Sequence, residues 1–160
     1  MLLMAGNSMG TGWKGYYATS LMDFFASSRR VMANDLSDIL KRLVLWGQYL
    51  QNNYHGHYYA KAQNLARTLR ASYDEAFTNV DALVMPTTPT KAPPIPPPGT
   101  ATETDVGGGN NTASFDVTGH PALSVPCGTS MGLPVGMMIV GRHWEDGTIL
   151  RIADAFERLK

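Results

Sequence analysis

The sequence predicts an α/β fold in which helices come first and short strands follow. Three observations carry that expectation. Apolar residues recur every three or four positions between Leu36 and Val80, the period of helices with one buried face. The stretch LPVGMMIVG (133–141) is apolar at nearly every residue, the pattern of a strand covered on both faces of a sheet. Ile149, Ile152, Ala153, Phe156 and Leu159 then form a second helical stripe at the far end.

Residues 1–19, rich in Gly, Thr and aromatic side chains, read as loop. A helix is expected from Ser20 to Met32, interrupted at Asn34-Asp35. The next helix places Leu36, Ile39, Leu40, Leu43, Gly47 and Leu50 on one face. Asn52-Asn53 marks another break before a third helix, from about Tyr54 to Asn79. Tyr58, Ala62, Leu65, Leu69, Tyr73, Ala76 and Val80 are expected to be its continuous buried stripe. Lys61, Arg67 and Arg70 lie off that stripe, on a solvated face.

DALVMPT (81–87) is a short apolar run stopped by proline, which suits a buried strand. Seven prolines between Pro86 and Gly99 then force an extended connection. TATETDVGGGNN follows, polar and glycine-rich, completing a proline/glycine-rich excursion over 86–110. PALSVPCG (121–128) and LPVGMMIVG (133–141) are strands. After the WEDG turn, Asp146 or Thr148 caps a terminal helix over 148–159. Residues 1–160 therefore read as a single partial domain, mainly helical over 1–80, with the strands and terminal helix in 81–160. It is partial because a strand as apolar as 133–141 calls for sheet partners beyond those the chain supplies.

Bulk composition narrows the function classes. A chain of 160 residues with 44% hydrophobic and 16% charged residues is globular and buries one sizeable core. Thirteen basic and thirteen acidic residues cancel, so no net field favours nucleic acid or an anionic membrane. No apolar run approaches the roughly 18–20 residues of a membrane span. The opening MLLMAG is too short, and lacks the basic flank, for a secretory signal. Cys127 is the sole cysteine, which excludes an intramolecular disulfide and suits a reducing, cytoplasmic setting. One cysteine and four scattered histidines argue against a structural zinc site, and no metal is expected.

Several short patterns invite a sharper reading. GNSMG (6–10) fits the G-x-S-x-G of a nucleophile elbow, with Ser8 as the serine. An elbow, however, follows several strands and an oxyanion-hole loop, and only five residues precede this one. GTGWKG (10–15) fits G-x-G-x-x-G, with Asp35 at a ribose-binding distance, yet helix and turn stand where a second strand should be. His55 and His57 form an H-x-H pair without a third ligand at suitable spacing, so they read as exposed residues at a helix start. Cys127, at the end of a strand with no basic cluster beside it, reads as a small buried hydrophobe.

Longer phrases say more. DALVMPTTPTKAPP, NTASFDVTGHPALSVPCG and GLPVGMMIVGRHWEDGTILRIADAFE, preceded by YYAKAQNLARTLRASYDEAF, occur in this order over roughly 54–98 and 111–158. In wording and spacing they resemble the C-terminal third of the amidase signature family. They are nearer to bacterial amidases of simple amides than to the glutamine-dependent amidotransferases of the same family.

The resemblance implies an α/β/α sandwich around a mixed sheet and hydrolysis of a small-molecule carboxylic amide without metal or organic cofactor. It implies a nucleophilic serine, a relaying second serine and a lysine base, with backbone N–H groups holding the oxyanion. In that family the nucleophile lies in a run of the type GGSSGGS. No such run occurs here, Gly107-Gly108-Gly109 is followed by Asn110-Asn111, and none of Lys14, Lys41, Lys61, Lys91 or Lys160 stands in the lysine motif. No catalytic residue carries over.

Thr87, Asn111, Phe115 and Trp144 match positions that line the acyl pocket or its entrance in such enzymes, and are the candidate substrate-binding residues. TATETDVGGGNN replaces a pocket-lining helix of the family, and three consecutive glycines do not sustain one. The expected function is thus that of the C-terminal portion of an amidase, catalytically incomplete alone, with the N-terminal portion as its partner. Two alternatives stand beside it: a self-associating remnant without enzymatic activity, and part of the amidase-like chain of a glutamine-dependent amidotransferase.

Overall fold

The computed structural model describes residues 15–95, 97 and 111–159. Ser8 and the Gly107–Gly109 tract lie outside the described residues. Two compact units divide at residue 60.

The first unit contains helix α1 (Thr19–Val31), a 3-10 turn (Ala33–Asp35) and helix α2 (Asp38–Tyr54). Ser37 caps α2, its Oγ accepting the Leu40 N–H at 3.4 Å, with Asp38 in the first turn where the helix dipole favours a negative charge. The expected break at Asn52-Asn53 is not made there. Gln48 Nε2 donates to Asn52 Oδ1 at 2.9 Å, and Asn53 Nδ2 donates to the Tyr49 carbonyl at 2.8 Å. Both amides are therefore used within the helix, which runs on until His55 and Gly56 turn left-handed at φ 48° and 81°. Tyr49, Tyr54 and Tyr58 meet edge-on across this turn, with ring centroids 6.3 and 4.9 Å apart. No residue of α1 or α2 is fully buried.

Helix α3 (His57–Ala76) leads into the second unit, which adds strand β1 (Ala82–Pro86), short helix α4 (Ala113–Thr118), strands β2 (Ala122–Ser130) and β3 (Leu133–Gly141), and helix α5 (Asp146–Glu157). The sheet has the order β1-β3-β2 and is antiparallel throughout. The described strands supply only antiparallel pairs of the mixed sheet that the resemblance implies. Ala82 faces Gly141 and Pro86 faces Met137, while Ala122 faces Val140 on the other side, so β3 is the central strand.

The alternation of β3 sends its buried residues to two cores. Met138 and Val140 pack with Phe77 and Phe115, and with half-buried Tyr73, on one face. Ile139 packs with Val125, Ile149 and Ala153 on the other. Two-faced coverage therefore holds for the second half of β3, while Leu133 to Gly136 stay open to solvent or half-covered. Helix α5 lies close against the sheet: a Cβ at Gly141 would come within 2.7 Å of Ile149 Cγ2.

Several expectations need correction. No residue of α3 is buried, and Leu65, expected in its buried stripe, is 61% exposed. Only the last turn reaches the sheet, through Tyr73 and, just beyond the helix, Phe77. The period is helical as expected, but a period says nothing about whether a covering layer is at hand. Cys127 is exposed and not a buried hydrophobe, because the ladder shifts register between Pro126 and Gly128, beyond the covered half of the sheet. Helix α4 has no counterpart among the sequence expectations. Its six residues include β-branched Val117 and Thr118, and it holds because Gly119 closes it at φ 78°, its N–H donating to the Phe115 carbonyl at 2.8 Å. The terminal helix begins two residues ahead of the expected 148, because Glu145 occupies the cap and accepts from Thr148 Oγ1 at 2.7 Å. Among the described residues, no helix is long and apolar enough to cross a membrane.

Candidate functional site

Polar side chains gather at the two ends of β1. At the exit of the strand, the Thr87 N–H donates to the Gly136 carbonyl at 3.0 Å, extending the ladder by one residue. Thr87 Oγ1 and Ser124 Oγ lie 2.6 Å apart, linking β1 to β2 across the top of β3. Asn111 Nδ2 donates to the Pro86 carbonyl at 2.6 Å, fixing the start of the α4 segment to the same strand end. Gly136 makes the approach possible, since a Cβ there would come within 2.8 Å of both Ser124 Oγ and Thr87 Oγ1. Gly136→Ala is accordingly expected to separate the two hydroxyls and cost about 1–3 kcal/mol by overpacking. Thermal denaturation of the variant against the parent chain checks this, and an unchanged melting temperature contradicts it.

Of the four sequence candidates, Thr87 and Asn111 are thus brought to one strand end. Phe115 is placed elsewhere, buried in the core against Tyr73, with ring centroids 5.1 Å apart. Trp144 belongs to the opposite end of the sheet, beyond the Gly141–Ala82 pair, where it is 94% exposed. Its φ of 67° is left-handed, a conformation that a bulky aromatic residue adopts only under constraint.

That opposite end holds a cluster the sequence does not announce. Asp74 on α3, His120 on the turn into β2 and His143 on the turn out of β3 come together, each offering a ligand atom within 4.8 Å of the others. His120 is 4% exposed, its ring stacked at 4.1 Å from that of His143 and tilted against Phe77 at 5.3 Å. Its Nδ1 lies 2.9 Å from Thr118 Oγ1 and its Nε2 lies 3.2 Å from Asp74 Oδ1.

Two arginines frame the cluster. Arg70 Nε donates to the Thr118 carbonyl at 2.8 Å. Arg142 Nε donates to the Phe77 carbonyl at 3.0 Å, and its Nη2 donates to the Val80 carbonyl and Asp81. An open depression of about 480 Å³, lined by Asp74, Phe77, Thr78, Arg142 and His143, gives solvent access.

Thr118, His120 and Asp74 have the connectivity of a nucleophile, base and orienting acid. Thr118 nevertheless has 0% exposure, so no substrate carbonyl reaches its hydroxyl. The arrangement does structural work instead. Burial holds the His120 pKa below the ordinary histidine value, the Asp74 hydrogen bond opposes this, and the charges of His143 and Arg70 add to the lowering.

A depressed value in the folded state means that the unfolded chain binds the proton more readily. Stability is then full above the unfolded histidine pKa of about 6.5 and falls as the pH drops toward the folded value. Unfolding by urea at about pH 7.5 and about pH 5.5 is expected to show a larger acid loss for the parent chain than for His120→Gln. Equal losses contradict it.

A family model described as Amidase matches residues 9–150. A Rhodococcus erythropolis protein described as an uncharacterized protein in the nthA 5' region is 44% identical over 99% of this chain and 81% of its own length. An enantioselective amidase of Rhodococcus rhodochrous is 42% identical over 97% of this chain, which spans only 31% of that enzyme. Among solved structures, the A component of the glutamyl-tRNA(Gln) amidotransferase of Thermotoga maritima superposes with a TM-score of 0.61. It is 28% identical, over 88% of this chain and 31% of that one.

Proposed function

The chain belongs to the amidase signature family, and from that premise we propose that it serves as the C-terminal portion of an amidase whose chemistry is supplied by an upstream portion. The observation that carries this reading is one of coverage. The chain aligns along almost all of its length with only 31% of an enantioselective amidase, and these residues contain no GGSSGGS-type run. The whole enzyme would take a small carboxylic amide and water to a carboxylate and ammonia or an amine, in a cytoplasmic setting. A serine would attack the carbonyl, a second serine would relay its proton, and a lysine would act as base. This chain, a single partial domain, would supply the sheet strands β1–β3, helix α5 and one wall of the acyl pocket.

The wall would be built at the exit of β1, where Thr87 and Asn111 converge, with Phe115 setting the position of α4 from behind. Trp144 would instead meet the upstream portion, since a left-handed aromatic residue in full solvent has a reason only if something covers it. A role in a glutamine-dependent amidotransferase is the weaker alternative, because the phrases before Asn111-Thr112 lack that subclass's wording.

The purified chain is expected to release no ammonia from simple aliphatic or aromatic amides. Turnover that disappears on Ser8→Ala would overturn the proposal and make Ser8 the nucleophile.

A further inference from the structure

We infer that Asp74, His120 and His143 form a binding site for one first-row divalent cation of the zinc type, held by two imidazoles and one carboxylate. The site does not depend on the amidase reading and lies at the end of the sheet opposite the exit of β1. Four scattered histidines give no metal pattern in the sequence. Folding brings two of them and a carboxylate from three separate segments to one point.

The donor chemistry is right. Zinc takes histidine nitrogen and carboxylate oxygen at about 2.0–2.2 Å, so neighbouring ligand atoms around a tetrahedral ion lie about 3.3 Å apart. His120 Nε2 and Asp74 Oδ1 already stand at 3.2 Å. His143 completes the set within 4.8 Å, a gap that a small rotation of its ring closes. His143 Nε2 is also shut off from solvent without a hydrogen-bond partner among the described residues, an uncompensated polar atom in an aromatic setting.

The surroundings favour the neutral, ligating form of the imidazoles. Burial opposes a proton on His120. Thr118 Oγ1, 2.9 Å from Nδ1, fixes the ring so that Nε2 faces Asp74, the outer partner that ligating histidines ordinarily have. Arg70 opposes a cation, yet its Nε is directed at the Thr118 carbonyl and the Asp74 carboxylate offsets its charge. The depression beside Asp74 and His143 provides the way in and leaves a coordination position for water.

The consequence is mechanical. A bound ion would tie the last turn of α3 to the two turns that flank β2 and β3, so that metal and folding would be linked by mass action. The test is equilibrium dialysis of the full chain against zinc chloride near neutral pH, with the bound metal measured. Cobalt chloride serves as a spectroscopic stand-in.

One equivalent of zinc is expected, together with visible cobalt bands of a four-coordinate site and a rise in melting temperature. His143→Ala and Asp74→Asn alter side chains that reach the surface. Each is expected to weaken binding by at least about 100-fold, beyond the 10–100-fold of losing an outer partner. His57→Ala, which disrupts only the H-x-H pair, should bind as the parent does. Should one of the two ligand variants fail to fold, the other and the parent's cobalt spectrum decide. Absence of stoichiometric zinc in the parent chain, or binding that survives both ligand variants, or binding lost in His57→Ala, overturns the site.

Discussion

Replacing Ile139 with alanine is expected to destabilise the sheet unit by about 3–4 kcal/mol, a large effect for a single substitution. The side chain has 0% exposure and lies where β3 meets α5, against Val125, Ile149 and Ala153. Its removal loses the transfer free energy of three carbons and leaves a cavity. Relaxation of that cavity is restricted, because β3 is held by ladders on both sides and α5 already rests against the Gly141 backbone. Amide hydrogen exchange of β3 reads the unit's own opening free energy, whatever the helices of the first unit contribute. Protection there should fall on the order of 100- to 1,000-fold. Val84→Ala is the control, on the edge strand of the same sheet and 58% exposed, and it should change protection little. Equal losses in the two variants contradict the placement of the core.

The β3 stretch also shows how much of the fold is legible in the sequence. LPVGMMIVG reads as a doubly covered strand over 133–141, and the strand has those bounds with a core on each side. Such a run constrains backbone and burial together, so it can be read without tertiary information. The α3 stripe cannot be read in the same way. Helical spacing identifies which face is apolar, but only Tyr73 and Phe77 find a partner. The Asn52-Asn53 break fails for a related reason: asparagine favours turns only when its side chain has nothing better to bind, and here helix neighbours use both amides.

The candidate sites divide along the same line. Thr87 and Asn111 stand out through the phrases that contain them, and they do converge on one strand end. Asp74, His120 and His143 cannot be found from spacing. They are brought together by the antiparallel pairing of β2 with β3, which puts the turn before one strand beside the turn after the other. The only signal in the sequence is the position of His120 and His143 at opposite outer ends of two predicted adjacent strands. Trp144, a pocket candidate from the sequence, stands with this second end and not with Thr87.

The second large effect is expected from complementation. Much apolar surface on the described helices is unshielded, including Leu45 and Trp46 on α2 and Leu65 on α3. Both outer strands of the described sheet pair on one side only, in the order β1-β3-β2. Such faces and edges favour association, with a fitting partner or with a second copy. On the proposed reading the fitting partner is the upstream two thirds of an amidase. Binding would order the Thr87–Asn111 wall against the serine and lysine residues that the partner carries.

The self-associating alternative predicts a homo-oligomer that ignores such a partner. Trp144→Ala should weaken the complex with the upstream portion while leaving the folded core intact, because the ring touches almost nothing within the chain. The most direct measurement is ammonia release from a simple amide by the chain mixed with the upstream portion of the Rhodococcus rhodochrous enantioselective amidase, each assayed alone as well. No release is expected from either piece, and clear turnover from the mixture. Turnover by the chain alone, or an inert mixture in which the two pieces do not associate, would contradict the proposed role.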